Sequence, residues 1–201
     1  MSTPRRQLRS TATPEEQEQA ILAAATEEFA DVGVRRASMD YVAKRAGVSR
    51  STLYRRFPNK EALLMGVGNI VFIDAMKRLD KACKGKDPKG AVVAAFIESS
   101  NILNENPMMR RLFLNDLEIL GTIITMSSPS EQMFFEGAVA AITSTLKNAD
   151  STMSDEDLGA TSELLLRVAG SLFQVHSQRV DITDPKSMGA FAEKYLAPLV
   201  H

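Results

Sequence analysis

The chain has 201 residues, of which 44% are hydrophobic and 24% are charged, and its formal net charge is −1. This composition is typical of a soluble globular protein and argues against a disordered or fibrous chain. No apolar stretch approaches the roughly 20 residues that span a bilayer, and the first residues lack the apolar segment of a secretory signal, so we expect a cytoplasmic protein without membrane contact.

Residues 1–12 are polar and basic, and we expect them to form a mobile arm. Beyond them, helix starts are marked by capping side chains and by prolines, whose missing N–H costs nothing at the first helical position. Five starts pair a cap with a proline, at Thr13-Pro14, Asp87-Pro88, Asn106-Pro107, Ser128-Pro129 and Asp184-Pro185. Four more are marked by Ser38, Ser49, Asn59 and Ser154. Glu16 and Glu131 complete capping boxes with Thr13 and Ser128. No alternating run typical of a strand occurs, so the sequence predicts an all-α fold of nine helices.

Basic residues are concentrated between positions 33 and 60, where eight Lys and Arg side chains stand against Asp40 alone. This segment carries a net charge of +7 and leaves −8 for the rest of the chain. A short basic module attached to an acidic body is the charge pattern of a DNA-binding protein. A solvated basic face is the alternative.

The segment from Ser38 to Leu63 predicts two short helices joined by a tight turn. Gly47 supplies the left-handed conformation that ends the first helix, and Ser49 caps the second. Apolar residues that would hold the two helices at a steep angle are Val42, Ala43, Ala46, Val48, Leu53 and Phe57. The second helix presents polar residues suited to a DNA major groove, namely Arg50, Ser51, Thr52, Tyr54, Arg55 and Arg56.

Over about its first 65 residues the chain resembles the TetR family of bacterial regulators. The resemblance rests on Ser38, Val42-Ala43, Ala46-Gly47-Val48-Ser49, Thr52-Leu53-Tyr54, Phe57, Lys60-Glu61 and Leu63. It implies that Thr52, Tyr54 and Lys60 contact the DNA backbone. It also implies a helix-turn-helix domain over residues 13–58 and a ligand-binding and dimerisation domain over 59–201. Ser51 stands where the family often has glycine, and Arg55-Arg56 where it often has aromatic residues or histidine. We assign base reading to Arg50 and Ser51, and include Ser38 among the DNA-binding candidates.

Cysteine and histidine are too few for a metal cluster. Cys83, His176 and His201 cannot form a disulfide framework or a Cys/His zinc site within one chain, and we expect neither a metal nor another cofactor. Cys83 is interpreted as a structural thiol, with a redox sensor as the alternative.

The middle helices are rich in Met and Phe, which favours a cavity for a small hydrophobic or amphipathic molecule. The candidate lining residues are Phe72, Met76, Phe96, Met109, Phe113, Leu117 and Phe134. For each of them an ordinary core position is the alternative.

The eighth helix is apolar on more than one face, which indicates that it packs in its own core and also against a partner. With the last helix it predicts a four-helix interface in a homodimer, formed by Leu165, Val168, Leu172, Val175, Phe191 and Tyr195. An internal core helix is the alternative.

Together these features predict a transcriptional regulator, most simply a repressor that leaves a palindromic operator when an effector binds. Its partners would be double-stranded operator DNA, the effector and a second copy of the chain. No catalytic constellation stands out, and an enzyme is not expected. The alternative is a small-molecule-binding or protein-interaction helical module with an incidental basic patch.

Overall fold

A computed structural model describes residues 12–114 and 129–201 of the chain. Within these ranges it contains nine α-helices and no strand, which confirms the predicted all-α fold. The helices are α1 (Pro14–Val32), α2 (Met39–Ala46), α3 (Arg50–Arg56), α4 (Lys60–Cys83), α5 (Pro88–Glu105), α6 (Pro107–Leu114), α7 (Pro129–Asn148), α8 (Asp155–Gln174) and α9 (Pro185–Phe191). The chain continues from α9 as a π-helical turn (Ala192–Leu196) and a 3-10 turn (Ala197–Leu199).

The helix starts coincide with the predicted caps. The Thr13 hydroxyl accepts a hydrogen bond from the Glu16 N–H at 3.2 Å, and the Glu16 carboxylate accepts one from the Thr13 N–H at 2.8 Å, so the first capping box is confirmed. The other side chains that accept from first-turn amides are Ser38, Ser49, Asn59, Asp87, Asn106, Ser154 and Asp184. α7 begins at Pro129 as predicted, while its predicted cap, Ser128, lies outside the described residues.

The helices form two compact units, one ending at Phe72 and the other beginning at Ile73. The boundary falls inside α4, so the first unit by compactness includes the start of that helix. The sequence-based division, which begins the second domain at residue 59, concerns function and stays a prediction.

The core of the first unit is formed by one face of α1 and the inner faces of α2 to α4. Its fully buried side chains include Ile21, Ala25, Phe29, Val42, Ala43, Leu53, Leu63 and Val67. Gly66 allows the helices to approach closely here, because a Cβ at this position would lie 2.8 Å from Leu22 Cδ2 and 2.9 Å from Phe57 Cε1. A larger residue at position 66 would therefore force the buried Leu22 and Phe57 side chains to move.

The core of the second unit is formed by α5, α7, α8, α9 and the turns that follow. Its buried side chains include Val92, Phe96, Leu146, Leu158, Leu165, Met188, Leu196 and Val200. Burial of apolar surface on this scale is the main force that holds such a bundle together. α8 contributes the face that contains Leu158 and Leu165 to this core.

Candidate nucleic-acid interface

The turn between α2 and α3 has the predicted geometry. Gly47 has φ 74° and ψ 24°, a left-handed conformation that residues with a Cβ adopt only under strain. The Val48 N–H donates to the Ala43 carbonyl at 3.0 Å, which satisfies an end group of α2. Ser49 then caps α3 by accepting from the Thr52 N–H at 3.1 Å. The orientation of α3 relative to α2 is therefore fixed by main-chain geometry.

α3 has one buried and one exposed side, and the buried side is set by Leu53, which is fully buried. Arg56, three residues after Leu53, is partly buried beside it. Arg50, Ser51, Tyr54 and Arg55 are all exposed. Ser51 and Arg55 lie nearly opposite Leu53, and Arg50 and Tyr54 lie at the edge of that face. The Tyr54 side chain is 42% exposed although it is aromatic, and it therefore offers a ring and a hydroxyl to a partner.

Arg56 differs from its neighbour Arg55 in what it contacts. Its side chain is only 18% exposed, and its Nη1 donates to Glu18 Oε2 on α1 at 2.8 Å. Its Nε atom is buried and has no hydrogen-bond partner among the described residues. Arg56 thus joins α3 to α1, which gives this predicted DNA contact a structural role that the sequence did not reveal.

Polar groups are clustered at the N-terminus of α3. The Ser49 hydroxyl lies 2.8 Å from both the Ser51 hydroxyl and the Thr52 hydroxyl. Arg50 Nε lies 2.7 Å from Oδ1 of Asp40, which belongs to the first turn of α2. The hydroxyl groups are therefore engaged with one another, whereas within the described ranges Arg50 is held through Nε alone.

Ser38 and Lys60 mark the two ends of the basic module. The exposed Ser38 hydroxyl caps α2, whose N-terminal amides make this end favourable for a phosphate. Lys60 Nζ donates to the Arg35 carbonyl at 2.8 Å, which ties the first residue of α4 to the loop after α1. Both predicted residues are thus positioned by contacts within the module.

Two carboxylates that support this module were missed by the sequence analysis. Glu28 is buried, and its Oε1 accepts from the Ser38 N–H at 3.2 Å, which joins α1 to the start of α2. Its position seven residues after buried Ile21 places it on the apolar stripe of α1, and this was the available signal. Glu27 forms an ion pair with Arg45 on α2. The latter pair lies on the surface and left no pattern in the sequence.

The predicted dimer residues divide into a core set and a surface set. Leu165 is buried, and Val168, Leu172 and Phe191 are partly buried against the core. Val175 and Tyr195 are 66% and 56% exposed. Two further apolar side chains, Leu164 and Leu199, are also exposed. The unit therefore leaves apolar surface on α8 and on the turns that follow α9.

The predicted effector residues are only partly described. Phe96 is buried in the core, and Phe72, Met76 and Met109 are half-buried. Leu117 and the side chains of Phe113 and Phe134 lie outside the described part of the chain. A groove of about 590 Å³ lies elsewhere, between α5 and the C-terminal turns, and its lining includes Lys89, Val93, Ile97, Glu193 and Pro198. The predicted pocket among the middle helices stays a prediction.

The structure supports the interpretation of Cys83 as a structural thiol. The side chain is buried, and its Sγ donates to the Ala91 carbonyl at 3.3 Å. Burial raises the pKa of the Cys83 thiol to about 11. A thiol in this environment remains protonated and weakly nucleophilic at neutral pH.

No helix in the described ranges is long and apolar enough to cross a membrane.

Comparison with known proteins gives a consistent result. Residues 21–67 match the family model described as "Bacterial regulatory proteins, tetR family". The chain is 28% identical to the HTH-type transcriptional regulator EthR of Mycolicibacterium smegmatis, covering 99% of this chain and 89% of that protein. It is 27% identical to the HTH-type transcriptional regulator Rv2250c of Mycobacterium tuberculosis, over 82% of each chain.

Solved structures share the fold. The TetR family repressor AlkX from Dietzia sp. strain DQ12-45-1b has a TM-score of 0.67 at 17% identity, covering 90% of this chain and 93% of that one. A TetR transcriptional regulator from Rhodococcus sp. RHA1 has a TM-score of 0.64 at 24% identity, covering 90% and 96%. The likeness extends well beyond the segment matched by the family model, and at these identities it concerns architecture.

Proposed function

The chain belongs to the TetR family of bacterial regulatory proteins, and on that premise we propose that it is a repressor released from a palindromic operator by a small hydrophobic or amphipathic effector. That it is a transcriptional regulator with a DNA-binding domain follows from the family. The sign of control, the form of the operator and the effector are the proposed part.

The observation that carries the proposal is the exposed face of α3. Arg50, Ser51, Tyr54 and Arg55 are all exposed, and they span one continuous arc of the helix that excludes buried Leu53. An α-helix with its side chains is about 10–12 Å in diameter, and α3 therefore fits a major groove about 12 Å wide. In this position Arg50 and Ser51, at the start of the helix, would face base edges.

The remaining contacts would fix the module on the sugar-phosphate backbone. Tyr54 and Thr52 would reach phosphates beside the groove, with Ser38 at the start of α2 and Lys60 at the start of α4 on its borders. Arg55 would add a phosphate contact from the exposed face. Because such contacts release counterions, affinity should fall steeply with salt, with a slope of about −0.9 per neutralised phosphate.

A homodimer would place two copies of α3 on one face of the DNA. The apolar surface at Leu164, Val175, Tyr195 and Leu199 supports an interface formed by α8 and the C-terminal turns. Val168 and Leu172 would pack at its border, and Leu165 would support it from within the core. A two-fold dimer reads an inverted repeat, with half-sites about one helical turn apart or a multiple of that.

The effector would act on the distance between the two reading helices. Arg78, near the end of α4, pairs with Glu98 and Glu105 of α5 at 2.6 and 2.8 Å, so a shift of α5 would be transmitted to α4. We propose that the pocket lies among the middle helices of the second unit, near Met76 and Met109. An effector that favours the DNA-incompetent state would lower operator affinity by its coupling factor, typically ~5 to 150-fold.

The similar AlkX structure is described as that of a repressor implicated in biodegradation of n-alkanes. The first compounds for an effector screen are therefore long-chain apolar molecules and their oxidised, amphipathic derivatives.

The test is a titration of DNA flanking the gene with the purified full-length protein at several salt concentrations. Operator binding that exceeds binding to an unrelated fragment and weakens steeply with salt supports the proposal. The absence of such binding would exclude it and favour a helical interaction module. Saturation with the true effector should then release the operator, and unchanged affinity would exclude the effector part.

A further inference from the structure

The geometry points to Asp40 as a specificity-determining residue that holds Arg50 in position to read a guanine in each operator half-site. The inference rests on the proposed function, since it assumes that α3 enters the major groove. Asp40 itself contacts Arg50 rather than the DNA, and it therefore acts as a positioning residue.

The contact between the two side chains leaves the reading end of Arg50 available. A guanidinium has five N–H donors, one on Nε and four on the two Nη atoms. Asp40 Oδ1 lies 2.7 Å from Nε, and among the described residues Arg50 is found with no other partner. Two parallel donors are what the O6 and N7 acceptors of guanine require in the major groove. The carboxylate thus forms an ion pair at the Nε end of the guanidinium, and the Nη atoms remain available for bidentate recognition.

The two residues belong to helices with a fixed relation. Asp40 lies in the first turn of α2, and Arg50 is the first residue of α3. The left-handed Gly47 and the Val48–Ala43 hydrogen bond define the turn between them. A flexible arginine loses conformational freedom when it binds, and a partner that restrains it beforehand reduces this cost.

The neighbouring polar side chains favour the assignment of base discrimination to Arg50. The hydroxyls of Ser51 and Thr52 are both within 2.8 Å of the Ser49 hydroxyl. Arg56 is held by Glu18 of α1. Of the polar groups at the start of this helix, Arg50 therefore has the most unengaged donors.

Because Asp40 is an acidic residue in a basic segment, its removal should have two distinct effects on DNA binding. It is the single carboxylate among residues 33–60, and near DNA it would repel phosphates. Its removal should therefore strengthen binding to DNA of any sequence while weakening the preference for guanine. A residue that acts only through its charge would change affinity alone. Because the side chains of Arg50 and Asp40 are 69% and 50% exposed, loss of the pair should leave the fold intact.

The experiment is a selection from a randomised DNA pool with full-length wild-type protein and with Asp40→Asn, Asp40→Ala and Arg50→Lys variants. Affinities for the selected site and for versions with each base changed are then measured. We expect a guanine preference in both half-sites of the wild-type site, reduced about five- to tenfold in both Asp40 variants, since a bidentate pair discriminates by roughly this factor or more. Binding to unrelated DNA should rise about two- to threefold in low salt.

The matched control is Glu27→Gln, which removes another carboxylate paired with an arginine of the same module, Arg45. This variant should keep the wild-type base preference. In a double-mutant cycle, Asp40→Asn should have little further effect on discrimination once Arg50 is lysine. An Asp40→Asn protein that keeps the full guanine preference, or an Arg50→Lys protein that does so, would overturn the inference while leaving the proposed function in place. A wild-type protein that selects no sequence would overturn both.

Discussion

Arg56 of α3 and Glu18 of α1 form an ion pair in which Nη1 lies 2.8 Å from Oε2. The pair spans 38 positions of the sequence and joins the candidate recognition helix to the first helix of the module. Its neighbour Arg55 is exposed. Two adjacent arginines of the same basic run therefore have different tasks.

Replacement of Arg56 should affect stability more than replacement of Arg55. Arg56→Ala removes a largely buried stem and its ion pair, and we expect the free energy of unfolding to fall by about 1 kcal/mol. Arg55→Ala should leave unfolding unchanged and lower DNA affinity at all sequences, because it removes a phosphate contact. Thermal unfolding and a DNA titration on both variants separate the two effects. Equal loss of stability in both would contradict the assignment.

The two glycines of α4 in the first unit offer a second comparison. Gly66→Ala would place a Cβ against Leu22 and Phe57, and we expect a loss of about 1–3 kcal/mol in stability. Gly68→Ala meets no atom within 4 Å and should stabilise the helix by about 0.5–1 kcal/mol. Urea unfolding of each variant gives both values. A Gly66→Ala protein as stable as the wild type would show that the helices do not approach as described.

The buried thiol of Cys83 should react slowly with thiol reagents, and it should make the stability of the protein depend on pH at alkaline pH. Because burial raises the pKa of Cys83 to about 11, a thiol reagent at pH 8 should react slowly with the native protein and rapidly after denaturation. In the unfolded chain the thiol ionises at its ordinary, lower pKa. The contribution of Cys83 to stability is therefore fully present below about pH 9 and is lost as the pH rises towards 11. Cys83→Ala should lack this dependence, and rapid alkylation of the native protein would refute the prediction.

Substitutions on the apolar surface of the second unit should affect dimer formation, whereas substitutions in its core should affect its stability. Val175→Asp combined with Leu164→Asp should favour the monomer, because two charges would be buried at the proposed interface. Leu165→Ala should instead lower the stability of the unit by about 2–5 kcal/mol, since it leaves a cavity in the core. Sedimentation measures the first effect and denaturant unfolding the second. A dimer that survives the double substitution would place the interface elsewhere.

Local signals predicted the helices well, because caps and prolines act within one turn of the chain. The turn at Gly47 was predictable for the same reason. The difference between Arg55 and Arg56 follows partly from their phase relative to Leu53, but the Glu18 partner depends on tertiary packing. Phe96 shows another limit: an apolar core and an apolar pocket require the same side chains, so composition alone does not separate them.

The close approach at Gly66 also suggests a practical use. A residue such as serine there would weaken the packing that supports α3, while the second unit has a core of its own. We expect such a variant to be a conditional regulator that loses DNA binding on mild warming and regains it on cooling. Gly66, which has no side chain, would then be the position at which a substitution makes DNA binding depend on temperature.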